Sequence, residues 1–209
     1  ISLGLVGSEM CIRDRSYSYS VDLSKFGGRF KYSKVLNVID DVDRAITSNI
    51  TRVRIRRNLR ALINQEAQYE LCFGNRFHVN SAGFNIKSTG FTIINEPDIC
   101  YLTDIPNADG RTGALAIVKP IEETGETRIV IGSAGLVDYI KGEVILTTTL
   151  ITSTVLNDDI IEVQAFPESN DVVGLKDLYL EFDVSKSTIN MVKDTISSGE
   201  KISGVGFKV

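Results

Sequence analysis

The chain has 209 residues with 43% apolar and 24% charged side chains, 17 glycines and 4 prolines, which excludes a disordered, collagen-like or low-complexity protein and leaves one domain or two small ones. Its formal charge of −4, from 23 basic and 27 acidic residues, is too mild to announce a nucleic-acid binder or an acidic tail. The apolar run at 145–157 is Thr-rich and shorter than the ~18 to 20 residues that span a bilayer, so no membrane insertion is expected.

The first fifteen residues, ISLGLVGSEMCIRDR, match neither the composition nor the patterning of the rest. Their apolar part precedes their charges, the reverse of a signal peptide. The string resembles the translated read-through of a sequencing adaptor, so residues 1–15 are expected to be a non-native leader and are set apart from the fold. At the other end, 204–209 stop inside a strand-like run, and a truncation is expected there.

From Ser33, the apolar residues Val35, Leu36, Ile39, Val42 and Ile46 form a helical stripe. They predict a helix over 34–46 with Ser33 as N-cap and Asn49 shortly beyond its end. The period then becomes two: over 51–57, Val53 and Ile55 alternate with Arg52, Arg54 and Arg56, as in a half-buried strand, with continuation of the helix as the alternative. Residues 66–73 alternate likewise through Tyr69, Leu71 and Phe73, and the two segments have the spacing of a hairpin or of close neighbours.

Further strands are expected at 90–94, 99–103, 114–118 and 127–131, with turns at 107–110 and 123–125, the second a hairpin signal. Residues 136–140 and 143–147 flank Lys141-Gly142, a two-residue connection of the kind that closes antiparallel pairs. Strands at 160–165 and 178–184 and a weaker one at 189–192 complete the series. About ten strands against one helix, without strand–helix alternation, predict an α+β, β-rich architecture of mostly antiparallel sheets. The expected division is a helix plus β-hairpin subdomain at 16–94, continuing a missing N-terminal part, and an antiparallel β domain at 95–209.

No constellation for catalysis emerges. Cys11, Cys72 and Cys100 lie far apart and only His78 could join them, so zinc spacings are absent and free buried thiols in a reducing compartment are expected. His78, the single histidine, is the only candidate base for a nucleophilic site and reads as a loop or strand-end residue. Gly132-Ser-Ala-Gly135 lacks the order of a nucleophile elbow and reads as a turn. Gly204-Val-Gly206 lacks a third glycine and a following helix, and no P-loop occurs. The Asp104 to Gly110 stretch aligns poorly with a calcium loop and reads as a polar turn. Asp40, Asp41 and Asp43 read as solvent-exposed or capping groups. No catalytic, cofactor or metal residue is assigned, and no enzyme is expected.

The unusual charge pattern is basic: Arg44, Arg52, Arg54, Arg56, Arg57 and Arg60 fall between 44 and 65 with no acid among them. On a strand, Arg52, Arg54 and Arg56 make a stripe that reads either as a solvated face or as a contact for an acidic protein surface. With few interleaved aromatics and an acidic chain, nucleic acid is not an expected partner. Phe166, Pro167 and Glu168, in a loop ending at Asp171, offer an aromatic on a fixed turn and join the arginines as interface candidates.

Several strings carry a family resemblance: FKYSKVLNVIDDVDRAITSN at 30–49, TRVRIRR at 51–57 and YELCFGN at 69–75, with IKSTGF at 86–91, YLTDIPNADG at 101–110, VDYIKGE at 137–143 and AFPESNDV at 165–172. From about Ser18 onward the chain resembles the C-terminal part of the ring-forming baseplate wedge protein of T-even-type contractile-tailed phages, in particular the cyanophage branch. The resemblance implies a structural subunit of the inner baseplate ring. It implies like-to-like contacts with copies of itself, binding to other wedge proteins, no cofactor, and a place in the virion tail baseplate after assembly in the host cytoplasm. The competing reading is a carbohydrate- or receptor-binding β module of a virion, against which Trp is absent and no aromatic platform is apparent.

Overall fold

The computed structural model describes residues 23–44, 46–121 and 125–190. Eleven strands and one α-helix follow in order: β1 (Arg29–Phe30), α1 (Tyr32–Asp40), β2 (Ile55–Arg60), β3 (Glu66–Cys72), β4 (Lys87–Ser88), β5 (Phe91–Ile93), β6 (Glu96–Pro106), β7 (Thr112–Pro120), β8 (Thr127–Asp138), β9 (Glu143–Thr154), β10 (Ile160–Ala165) and β11 (Val172–Val173). Every ladder is antiparallel. The β-rich α+β class expected from the alternating patterns is therefore the class observed.

The six-stranded sheet runs β3-β9-β5-β6-β7-β8, and β8 pairs with β9 as well. Five strands thus close a circuit, β9–β5–β6–β7–β8–β9, with β3 added on β9. A three-stranded sheet, β2-β10-β4, and a two-stranded one, β1-β11, complete the fold. The six-stranded sheet draws strands from both sides of residues 94 and 95, and β10 joins β2 and β4 across the same point.

The main core collects Phe73, Phe77, Ile86, Phe91, Leu102, Leu115, Ile117, Val137, Leu146 and Ile151 with Leu59, Ile161 and Val163 from the three-stranded sheet. Each such side chain contributes about 1.5–3 kcal/mol on removal from water. A second, smaller core is built by Leu23, Phe30, Val35, Ile39 and Val172, with Val53, Ile55, Leu180 and Phe182 packed against it. Ile55 touches both cores.

A buried carboxylate sits beside the main core. Asp104 is 1% exposed; its carboxylate accepts the Tyr139 hydroxyl at 2.6 Å and the Ile86 N–H at 2.7 Å. Burial, then the bond to Asp104, pushes the Tyr139 phenol far above its ordinary value, so it stays a donor.

Several local expectations are corrected. The helix begins at Tyr32 and ends at Asp40 rather than spanning 34–46, and Ser33 lies inside it. Its first N–H is met from far away: the Tyr32 N–H donates to Asp171 Oδ1 at 2.8 Å. No basic residue occupies its last turn, and Asp40, Asp41 and Asp43 place negative charge where the helix dipole disfavours it, which accounts for the early stop. The Asn49 amide closes the end by donating to Asp40 Oδ1 at 2.5 Å.

The strand expected at 51–57 is β2, three to four residues later, and it does not pair with β3: β2 joins β10 and β3 joins β9. The expected turn at Gly132-Ser-Ala-Gly135 is instead the middle of β8, because 127–131 and 136–138 belong to one strand. Leu115 faces Gly135 and Ile117 faces Ile131, so β8 bulges there with extra residues opposite Ala116. A Cβ on Gly135 would overlap the Ile145 carbonyl oxygen, which is how β9 approaches so closely. The connection to β9 spans 139–142 rather than two residues, and Asp138 Oδ1 accepts the N–H groups of Ile140 and Lys141 at 2.9 Å each.

Residues 178–183 form no strand, and a 3-10 turn follows at Val184–Lys186. Their alternation is real, since Leu180 and Phe182 pack on the small core, but no sheet edge hydrogen-bonds to them. Ile189 and Asn190 are not in a strand either. The rest of the 189–192 expectation, the leader at 1–15 and the run at 204–209 lie outside the described residues. Gly110 and Gly125 sit with positive φ in the β6–β7 and β7–β8 turns, where turn signals were expected. The three short strands β1, β4 and β11 were not expected from the sequence.

Candidate assembly surface

The arginine stripe starts ahead of β2 and runs into it. Burial alternates from Arg52 to Arg60, with Arg52, Arg54 and Arg56 exposed while Val53 and Ile55 lean on the small core. The side-chain period of two therefore holds over 52–54 before any ladder forms, because the apolar partners alone fix the extended backbone.

The three arginines have different surroundings. Arg56 donates to Glu162 Oε1 at 2.9 Å and to Asp183 Oδ2 at 2.5 Å, and Lys186 lies 3.4 Å from the other Glu162 oxygen. Hydrogen bonding from Ser185, then the Arg56 charge and the Lys186 and Ser185 N–H groups, lower the Asp183 pKa against a burial effect that raises it. This four-residue network is neutral, so Arg56 contributes no net charge to the surface.

Arg54 holds its guanidinium 4.8 Å from the centroid of the Phe166 ring, a cation–π contact. Arg52 is exposed and, among the described residues, makes no ion pair. Arg57, on the opposite face, donates to the Cys72 carbonyl oxygen.

The structure thus brings two of the candidate sets together: Arg54 lies on Phe166. The loop bearing Phe166 is fixed from within. Buried Asn85 accepts the Phe166 N–H at 2.8 Å through Oδ1 and donates through Nδ2 to the Phe166 and His78 carbonyl oxygens at 3.2 and 2.5 Å. Pro167 is buried and bridges to Phe77. Glu168 is exposed; its N–H donates to the Arg76 carbonyl at 2.8 Å and its carboxylate pairs with Arg76 Nε at 2.9 Å. Of the three loop candidates, Glu168 and part of Phe166 face outward, whereas Pro167 is buried, with the backbone on either side of it bonded to residues 76 and 78.

In the sequence Asn85 goes unremarked, Asn75 figures only as part of a family string and Asp171 only as the end of a loop, although each organises this region. Asn75 mimics a strand, donating from Nδ2 to the Val173 carbonyl at 2.8 Å and accepting the Val173 N–H at 2.9 Å. No local pattern advertises an amide whose partners lie 98 residues away.

The other searched groups fall elsewhere. His78 is exposed, and its backbone N–H donates to the Phe166 carbonyl at 3.0 Å. Cys100 is a fully buried free thiol, whereas Cys72 is only half-buried, correcting the expectation that both are buried; Cys11 lies outside the described residues. Glu70, Cys72 and Glu143 have their ligand atoms within 4.8 Å of one another. Burial, followed by Glu70, raises the Cys72 thiol pKa, and the thiol donates to Glu70 Oε1 at 3.3 Å. A protonated thiol is a poor metal ligand, and the Arg57 charge beside it offsets part of the acidic charge. Among the described residues no helix is long and apolar enough to cross a membrane.

No curated protein matches the chain. Residues 12–58 match the family described as baseplate structural protein gp6, C-terminal domain III, a stretch that holds α1, the three stripe arginines and the start of β2. That family is structural, and its description places it in the baseplate of the phage tail. Through the segment 12–58, which carries the helix and the arginine stripe, the chain is similar to the baseplate wedge proteins of contractile-tailed phages.

Proposed function

We propose that the protein is a structural subunit of the inner baseplate ring, assembling through like-to-like contacts and binding other wedge subunits, with Arg52, Arg54 and the outward part of the Phe166 to Glu168 loop in the contact. The cyanophage branch and assembly in the host cytoplasm belong to the same proposal. The observation that carries it is the convergence of the family match with the exposed basic surface, since the matched segment itself bears Arg52 and Arg54. Arg54 is held in place by the Phe166 ring, so it would meet a partner carboxylate with little further loss of rotamer freedom. Such a contact needs no cofactor.

The test is the triple variant R52E/R54E/R56E, with R52E/R54E as the sharper form because Arg56 also serves the internal network. Light scattering across a dilution series should show association weakened in both. Unchanged association in a folded R52E/R54E protein would remove this surface from assembly.

A further inference from the structure

β8 has a seven-residue strand edge, 127–133, with no ladder partner on one side among the described residues. Its first half pairs with β7, from Thr127 facing Pro120 to Ile131 facing Ile117, while β9 reaches only Gly135 to Asp138. Residues 127–133 are all exposed except Val130, which packs against the main core. Ile129 and Ile131 are 54% and 37% exposed. An exposed edge with apolar side chains is a template for another strand.

An apolar row leads to that edge. Ile99 and Val155, 46% and 58% exposed, converge over Gly90, where a built Cβ would strike both and lie 3.6 Å from Tyr101. Tyr101 faces Val118, and Val118 faces Ile129. The row passes over Val118, which is 6% exposed, and ends at the open edge of β8. Single exposed isoleucines need no explanation, but a row that ends on unpaired backbone does.

We propose that the edge at 127–133 pairs antiparallel with the same strand of a second copy, about a two-fold axis at Val130. This rests on the like-to-like reading above and names where one such contact lies. The register is self-complementary. Ile129 falls opposite the second copy's 131 position, Arg128 opposite position 132, and Thr127 opposite position 133. The sequence Thr127-Arg-Ile-Val-Ile-Gly-Ser133 therefore sets isoleucine against isoleucine twice and each arginine against a glycine, with no like charges opposed. Any other partner strand would have to supply this pattern independently.

The full chain is studied by equilibrium sedimentation, with circular dichroism as the control for folding. The wild type should be a reversible dimer. I129K/I131K should raise its dissociation constant at least tenfold, because four lysines then meet across the axis. I129E/I131K should restore it to within about threefold of wild type, because each glutamate then faces a lysine. In the wild type, amides 127–133 should gain hydrogen-exchange protection as concentration rises, a readout that needs no variant.

Dimerisation unchanged in I129K/I131K, or no gain of protection at 127–133 on dimerisation, overturns the edge pairing. If R52E/R54E then abolishes the dimer, the assembly reading stands and only the β8 contact falls. A wild type that stays monomeric overturns both like-to-like statements and leaves binding to other wedge subunits.

Discussion

Replacing Asn85 by alanine removes the brace of the Phe166 loop. Asn85 is 4% exposed and makes three bonds, two to Phe166 and one to His78. At about 1 kcal/mol net for each, their loss gives ~3 kcal/mol. The Phe166 carbonyl keeps the His78 N–H at 3.0 Å, so the group most fully orphaned is the Phe166 N–H, which alone costs about 1–3 kcal/mol if it stays dry. The two accounts overlap rather than add, so ~3 kcal/mol is the expected destabilisation. Urea unfolding followed by tyrosine fluorescence measures it: with a slope of about 2 kcal/mol/M, the midpoint should fall by ~1.5 M. A midpoint moved by less than about 0.3 M at unchanged slope would show that the loop holds its place without Asn85. As a second readout, Arg54→Ala should cost less in the Asn85→Ala background than in the wild type, since a displaced Phe166 offers Arg54 no ring.

Asp171→Ala removes the acceptor of the Tyr32 N–H and should lower stability by about 1 kcal/mol, with a matching loss of helical signal in circular dichroism. Gly135→Ala drives a Cβ into the Ile145 carbonyl and should cost more than about 3 kcal/mol, beyond the usual range for a point change; calorimetry reads it as a lowered Tm. The Tyr139 phenol has a folded pKa raised above its ordinary value of 10.0, so its stabilisation is complete below that pH and is lost as pH rises beyond it. Alkaline unfolding should therefore be shallower in Tyr139→Phe, at the expense of about 2 kcal/mol near neutrality for the lost donor to Asp104. The lowered pKa of Asp183 acts in the opposite direction: its stabilisation is present above its ordinary 3.8 and fades as pH falls below it, so Asp183→Asn should flatten the acid limb of the stability curve.

The residues that were legible in the sequence are those whose partners lie close in the chain or whose pattern is regular. β10 matches its expected span, β3 differs by one residue, and the β6–β7 turn carries the Gly110 that its positive φ favours. Illegible were the features set by distant partners. The helix start depends on Asp171, the fate of 178–183 depends on there being no ladder to join, and β8 runs through two glycines because β9 needs one of them to come near. Strand alternation shows which face is buried but not which neighbour supplies the hydrogen bonds, so β2 and β3 looked like a pair although they belong to different sheets. The same held for the surface: the arginine stripe was readable as a pattern, but the neutralisation of Arg56 by Glu162 and Asp183 and the seating of Arg54 on Phe166 required residues more than a hundred positions away.

The small core joins the two ends of the described chain, residues 23–55 and 172–182, through seams that are few and short. Two register pairs link β1 to β11, Asp171 meets Tyr32, and Asn75 clamps Val173. Residues 66–165 contain the whole strand circuit and most of the main core, so that part can form before the ends meet. The docking of this clasp is then the expected last event in folding, and its release the expected first event in native-state opening, which hydrogen exchange would read. Arg54 and Phe166 sit on either side of that clasp, so the proposed assembly surface exists only while the clasp is shut: a partner that bound it would fasten the ends of the chain, and an unfastened chain would present no such surface.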